Sequence, residues 1–288
     1  MRIALALTAT LAAVAPTVRQ HVSPLPCDLS AYRASQGLTA ALAQQQLALS
    51  WRGEGSSELR ARFSIVDGQP TVTDLAIRSG AGAWSTLGAN LVPEYRVVTG
   101  VRRMSNQQAD PLREAGVELT PDVVAKNRWY AFWDAPLYIP PAPTAATKAA
   151  TARVLGPPRT PDEIHRAVAT FHSSSCRVVS DGGSLSVTFP GLTMGTFAGD
   201  LRFTVYRGTN LIRMDAVAKT SDEWVAYKYD AGLRGFSSAA MHALEWRDTG
   251  GHPQRYAFGG VGNETIVPLK AQNRVLVAES PTGSIATW

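Results

Sequence analysis

Cysteine, lysine and histidine are all scarce in this chain of 288 residues, and each scarcity narrows what it does. The five histidines (His21, His165, His172, His242 and His252) stand apart, without the close spacing that metal ligands show. No phosphate loop, dinucleotide fingerprint, serine-nucleophile elbow or zinc motif is written either, so no metal and no cofactor is implied. No apolar run reaches the ~18 residues of a membrane span, which argues against membrane insertion. With five lysines, the net charge of +5 rests on arginine. Those arginines are scattered rather than clustered, which argues against a nucleic-acid partner. An Arg-rich surface does suit carboxylate or sulfate groups, because a guanidinium grips them with two parallel hydrogen bonds.

What is present begins with an export signal. Met1-Arg2 precedes an apolar run, Ile3 to Ala15, that is too short to span a bilayer, so residues 1–15 read as a secretory leader. Pro24-Leu25-Pro26 before Cys27 lacks the small residues of a lipoprotein signal, so a secreted or periplasmic location without an anchor is expected. The two cysteines, Cys27 and Cys176, fit an oxidising compartment. A disulfide between them would tie the N-terminal region to the central strands; the alternative is two buried thiols.

Past the leader, residues 16–50 read as a linker with a short Ala/Gln-rich, helix-prone segment. Residues 51–288 read as one all-β domain. Leu59–Val66 alternates cleanly, Asp67-Gly68 is a hairpin turn signal, and Thr71–Arg78 returns with its parity switched once near Thr73-Asp74, as a bulge would do. Gly80–Asn90 is a glycine-rich loop around Trp84, Tyr95–Val101 a strand and Arg102–Pro111 a polar stretch. Thr120-Pro121-Asp122 starts a short helix, and Thr160-Pro161-Asp162-Glu163 starts a second one, running to about Thr170. Between them, residues 140–159 are rich in Pro, Ala and Thr and read as an exposed loop. From Cys176 onward the chain is nearly all strand, and it stops at Trp288 without a closing element, as a fragment of a longer protein would. The fold class expected is a large antiparallel β-sandwich with a few short helices.

The best-specified stretch is Gly191–Leu233, read as three consecutive antiparallel strands. A turn at Gly208-Thr209, suited to type II′, sets Val205 opposite Ile212, Phe203 opposite Met214 and Arg202 opposite Asp215. Within it, GDLRFTVYRGTNLIRMDAVAKT resembles the galactose-mutarotase-like β-supersandwich proteins, in which alternating strands flank a Gly-x-Asn turn. SDEWVAYKYDAGL then stands where that family has its next strand, and RFSIVDGQPTVTDLAI resembles, more loosely, its opening hairpin. The resemblance implies a supersandwich fold and a carbohydrate-centred role: epimerase, glycoside hydrolase, polysaccharide lyase, or silent domain. Mutarotases carry a catalytic His on the strand matching Val225–Asp230. Here that strand reads VAYKYD, so simple epimerisation is not implied.

The candidate site is the polar face of these strands. Arg202, Arg213 and Lys228 are candidate substrate-binding residues, and Asp215 and Asp230 candidate catalytic carboxylates, with Thr204 and Lys219 alongside. With the opposite parity on the third strand, Tyr227 and Tyr229 face the ligand for stacking or proton transfer. Trp129 and Trp133, in the aromatic run Arg128–Pro140, are candidates for a sugar-stacking platform, with packing over an open end of the sandwich as the other reading. A glycosidase would pair Asp215 with Asp230 or Glu245; a lyase would use Tyr227, Tyr229, Lys228 or His242 as base beside a cation. The expectation is a secreted protein that binds or processes carbohydrate, its partner an acidic glycan. The alternatives are a non-catalytic sandwich module of a longer secreted enzyme, and an interaction protein without a sugar site.

Overall fold

The computed structural model describes residues 25–43, 45–101, 103–104, 106–127, 133–134, 164–223, 225–237, 239–258 and 269–288. The leader at 1–15 and the loop at 140–159 lie outside these residues, as does Trp129. In chain order the strands begin with β1 (Cys27–Asp28), β2 (Leu38–Ala43), β3 (Gln46–Arg52), β4 (Ser57–Val66), β5 (Gln69–Ser79), β6 (Ser85–Gly88), β7 (Val92–Val101) and β8 (Arg103–Met104). Helices α1 (Asn106–Glu114) and α2 (Pro121–Asn127) follow, then β9 (Trp133–Asp134), β10 (His165–Val168), β11 (Thr170–Phe171) and β12 (Cys176–Ser180). The remaining strands are β13 (Ser184–Met194), β14 (Phe197–Tyr206), β15 (Ile212–Lys219), β16 (Val225–Arg234), β17 (Ala243–Arg247), β18 (Pro253–Ala257), β19 (Leu276–Ser280) and β20 (Gly283–Thr287).

The chain is all-β, as expected, and its strands form several antiparallel sheets set like the four blades of a propeller. The N-terminal sheet is a meander in the order β2-β3-β4-β5-β6. The central sheet runs β1-β12-β13-β14-β15, with β11 also on β13. A third sheet runs β10-β7-β16, and a fourth β18-β17-β19-β20.

The meander follows from local chemistry. Asp67 and Gly68 both take positive φ (51° and 80°), the type I′ geometry whose twist suits a tight hairpin. Arg62 faces Asp74 while Phe63 faces Val72, so Thr73 is the extra residue of the bulge. Leu47, Leu49, Trp51, Leu59, Ala61 and Phe63 line its buried face at period two. Phe63 meets Phe189 and Phe203 of the central sheet, with ring centroids 5.8 and 4.9 Å away. The two large sheets therefore share one core, which also takes in Tyr95 and Val97 of β7.

Three expectations are corrected. The Ala/Gln-rich segment before residue 50 is not helical linker but the β2–β3 hairpin, with Leu38, Leu47 and Leu49 buried in the main core. The helix to Thr170 is replaced by β10, which pairs with β7 from His165↔Thr99 to Val168↔Arg96. In both, long-range pairing and burial outweigh the weak local preference for helix. The polar stretch before Pro111 holds α1, with Pro111 inside it. Helix α2 starts as expected: Pro121 is its first residue, and the Val123 amide donates to Thr120 Oγ1 at 3.3 Å.

Candidate functional site

β14 and β15 pair in the expected register, with Val205↔Ile212, Phe203↔Met214 and Arg202↔Asp215 as partners. Leu201, Phe203 and Val205 are fully buried, which locks that register, since a one-residue slip would turn all three to solvent. The connection is wider than a two-residue II′ turn. The Thr209 amide donates to Tyr206 O at 3.3 Å, so the turn is centred on Arg207-Gly208. Gly208 takes φ of 82° at its third position, where a type II turn wants glycine.

The third strand does not extend this sheet. β16 crosses to pair with β7 along its whole length, from Val225↔Val101 to Arg234↔Val92. The candidate residues are thereby divided. Arg202, Thr204, Arg213, Asp215 and Lys219 lie on the outer face of β14–β15. Thr204 is buried, sharing a 2.9 Å hydrogen bond with Ser186 Oγ, and Lys219 is exposed at the strand end opposite Ala198. Lys228 and Asp230 sit on one face of β16, opposite Val98 and Arg96, and Tyr227 and Tyr229 on the other. Asp230 therefore does not share a face with Asp215. Glu245 is held by Arg255 in the fourth sheet, and there the backbone of His242 donates to Glu279 O. Trp133 is on β9, opposite Met104 of β8.

What the structure does bring together is a row of aromatic rings along the tyrosine face of β16. Tyr227 and Tyr229 are 58% and 59% exposed, their rings stacked at 6.5 Å with 27° between planes. Phe197, the first residue of β14, meets Tyr227 edge-on at 5.4 Å. Three aromatic rings thus form a row where the third sheet borders the central one. Tyr95 of β7 lies on the same face, since its partner Ala231 is two residues from Tyr229. It is 2% exposed, and among the described residues its hydroxyl has no hydrogen-bond partner. Burial first, then the Asp215 carboxylate and the Tyr229 phenol, push the Tyr95 phenol well above its ordinary value. Tyr95 is therefore a buried phenol on which Asp215 of one sheet and Tyr229 of the other both act electrostatically.

On β15 Arg213 Nε donates to Asp215 Oδ1 at 2.8 Å, with the two side chains 64% and 23% exposed. Asp215, and after it Tyr206, hold the Arg213 guanidinium above its ordinary value. So exposed a pair adds little to stability, but it presents donors and an acceptor to a ligand. Exposed aromatic faces stack on the C–H face of a pyranose, and a neighbouring Arg–Asp pair suits its hydroxyls. Acid–base chemistry fits less well. Tyr95 is held protonated, and the second carboxylate points elsewhere. Among the described residues, no group of three or more His, Cys, Asp or Glu is placed to hold a metal ion.

Tyr95 and Phe197 were not legible as site residues. Tyr95 sits in a run, Pro93-Tyr95-Val97-Thr99, that reads simply as a buried strand face, and only the β7–β16 pairing sets it near Tyr229. Cys27 and Cys176, Cα partners on the parallel pair β1–β12, are joined by a disulfide. No helix among the described residues is long and apolar enough to cross a membrane. No family model, curated protein or solved structure matches this chain.

Proposed function

We propose that this is a secreted or periplasmic carbohydrate-binding protein whose glycan stacks on Tyr227 and Tyr229 and is gripped by Arg213 and Asp215. The observation that carries this reading is the exposed, stacked tyrosine pair on β16, with an Arg–Asp ion pair on the outer face of the neighbouring sheet. In water such a display is costly unless a ligand covers it, because each ring leaves apolar surface wet. The separation of Asp215 from Asp230 favours a non-catalytic binding module over a paired-carboxylate hydrolase. Arg202 lies beside the pair as a further cation, which favours acidic glycans.

A glycan array followed by titration of the strongest acidic oligosaccharide tests this. Tyr227→Ala and Tyr229→Ala are each expected to weaken binding by about ten-fold, the loss of ~1.4 kcal/mol of stacking. Unchanged affinity in both variants, or an array without any bound glycan, would sink the assignment.

A further inference from the structure

A second place on the molecule is built for an anion, and it lies at the opposite end of the β14–β15 hairpin. There the turn is seated on the N-terminal meander. Trp51 Nε1 donates to Thr209 O at 3.0 Å, the Gly208 amide to Arg52 O at 2.7 Å, and the Glu54 amide to Asn210 Oδ1 at 2.9 Å. These bonds span more than 150 residues of sequence and leave beside them an open cleft of about 690 Å³. Arg52, Arg207, Thr39, Ser50, Ser57 and Glu58 are among its lining residues.

The charge in this cleft is not balanced by the protein. On the outer face of the same sheet Arg60 is paired with Asp74 at 2.7 Å and Arg78 with Glu58 at 2.5 Å. Both those guanidinium groups also lie over the Trp84 ring, at 4.3 and 4.6 Å. Arg52 and Arg207 have no such partners: among the described residues, neither makes an ion pair. Glu58, the strand partner of Arg52, turns its Oε2 to Arg78 Nε and Nη2 instead. The two arginines come from different sheets, and the stems of their side chains flank Gly37. A Cβ placed there would stand 3.1 Å from Arg52 Cβ and 3.5 Å from Arg207 Cδ. Thr39 and Ser50, paired across the β2–β3 ladder, set hydroxyls beside them. Arg207 Nη1 also donates to Gln36 O at 3.3 Å, but neither arginine has a carboxylate partner among the described residues. Two such cations lining a cleft with several hydroxyls match a ligand with one oxyanion and several hydroxyls.

We infer that this cleft is a second ligand site, which takes a carboxylate-bearing sugar with its oxyanion between Arg52 and Arg207. The site is independent of the tyrosine row, and its fate is separable from that of the first. The test is titration calorimetry of the purified chain at low ionic strength, where screening is weakest. The probes are trigalacturonate, the neutral galactotriose, and inorganic sulfate. Trigalacturonate is expected to bind at least about ten-fold more tightly than galactotriose. Arg52→Gln and Arg207→Gln should each lose about ten-fold, and the double variant more, while the urea midpoint stays put because both side chains are exposed. The Tyr227→Ala, Tyr229→Ala double variant should keep a binding event that the arginine double variant has lost. Competition by sulfate alone at similar affinity would assign the cleft to any oxyanion and overturn the sugar assignment. Trigalacturonate binding that survives when both arginine changes are added to the Tyr227→Ala, Tyr229→Ala variant, or that vanishes with the tyrosine changes alone, would overturn the site. So would an absence of binding to the unaltered chain.

Discussion

Tyr95 shows how one residue carries a site's physics without touching solvent. Its hydroxyl is buried without a partner among the described residues, and a buried unpaired hydroxyl costs ~1–3 kcal/mol. Tyr95→Phe is therefore expected to leave the protein as stable or up to ~2 kcal/mol more stable at neutral pH, by urea unfolding. A clear loss of stability would mean that the hydroxyl has a partner after all. The same residue makes a pH signature. Its phenol is raised in the folded state by burial, Asp215 and Tyr229. In the unfolded chain it titrates near ~10. Above that pH the unfolded state releases a proton that the folded state retains, so stability falls as pH rises, by ~1.4 kcal/mol per pH unit for one group. The stability contribution is complete below pH ~10 and is lost through the alkaline range. Tyr95→Phe should flatten that alkaline decline; an equal decline in both proteins would assign it to other groups. Nothing in the sequence marks Tyr95 as different from the other tyrosines, because its isolation depends on strands far from it in the chain.

At the scale of elements, legibility follows how local the cause is. The β4–β5 hairpin was legible down to its bulge, because Asp67-Gly68 and the parity switch at Thr73 lie within a few residues of each other. Gly68→Ala puts a side chain at φ of 80° and should cost ~1–2 kcal/mol, measured as a lower urea midpoint. A wild-type midpoint would show that the turn relaxes to another type. The β14–β15 register was equally legible, although its turn is type II around Arg207-Gly208. The register survives because facing apolar residues, not the turn, decide it. The β2–β3 hairpin and β10 went the other way. Ala and Gln favour helix, and a Thr-Pro-Asp-Glu run looks like a cap, yet Leu47 and Leu49 already carry the period-two alternation that burial selects. Pairing with partners distant in sequence then decides the outcome.

The molecule as a whole is held at its N-terminal edge by Cys27–Cys176, which closes a loop of 149 residues. A cross-link of that length removes chain entropy from the unfolded state worth up to about 5 kcal/mol. The Cys27→Ser, Cys176→Ser double variant, or reduction with dithiothreitol, should lower the unfolding free energy by several kcal/mol; an unchanged urea midpoint would show that the bond adds nothing. The sequence by itself determined that the chain is all-β, that β4–β5 and β14–β15 are hairpins, and which residues they face to the core. Those features rest on side-chain alternation and turn chemistry within a few residues. Only the tertiary structure decided that β16 leaves its neighbours for β7. That crossing parts Asp230 from Asp215 and sets Tyr227 and Tyr229 beside Phe197. Tyrosines and arginines at alternating positions read the same on either sheet. Which of them meet is set by long-range pairing and by which apolar faces bury each other, and no local pattern encodes that choice.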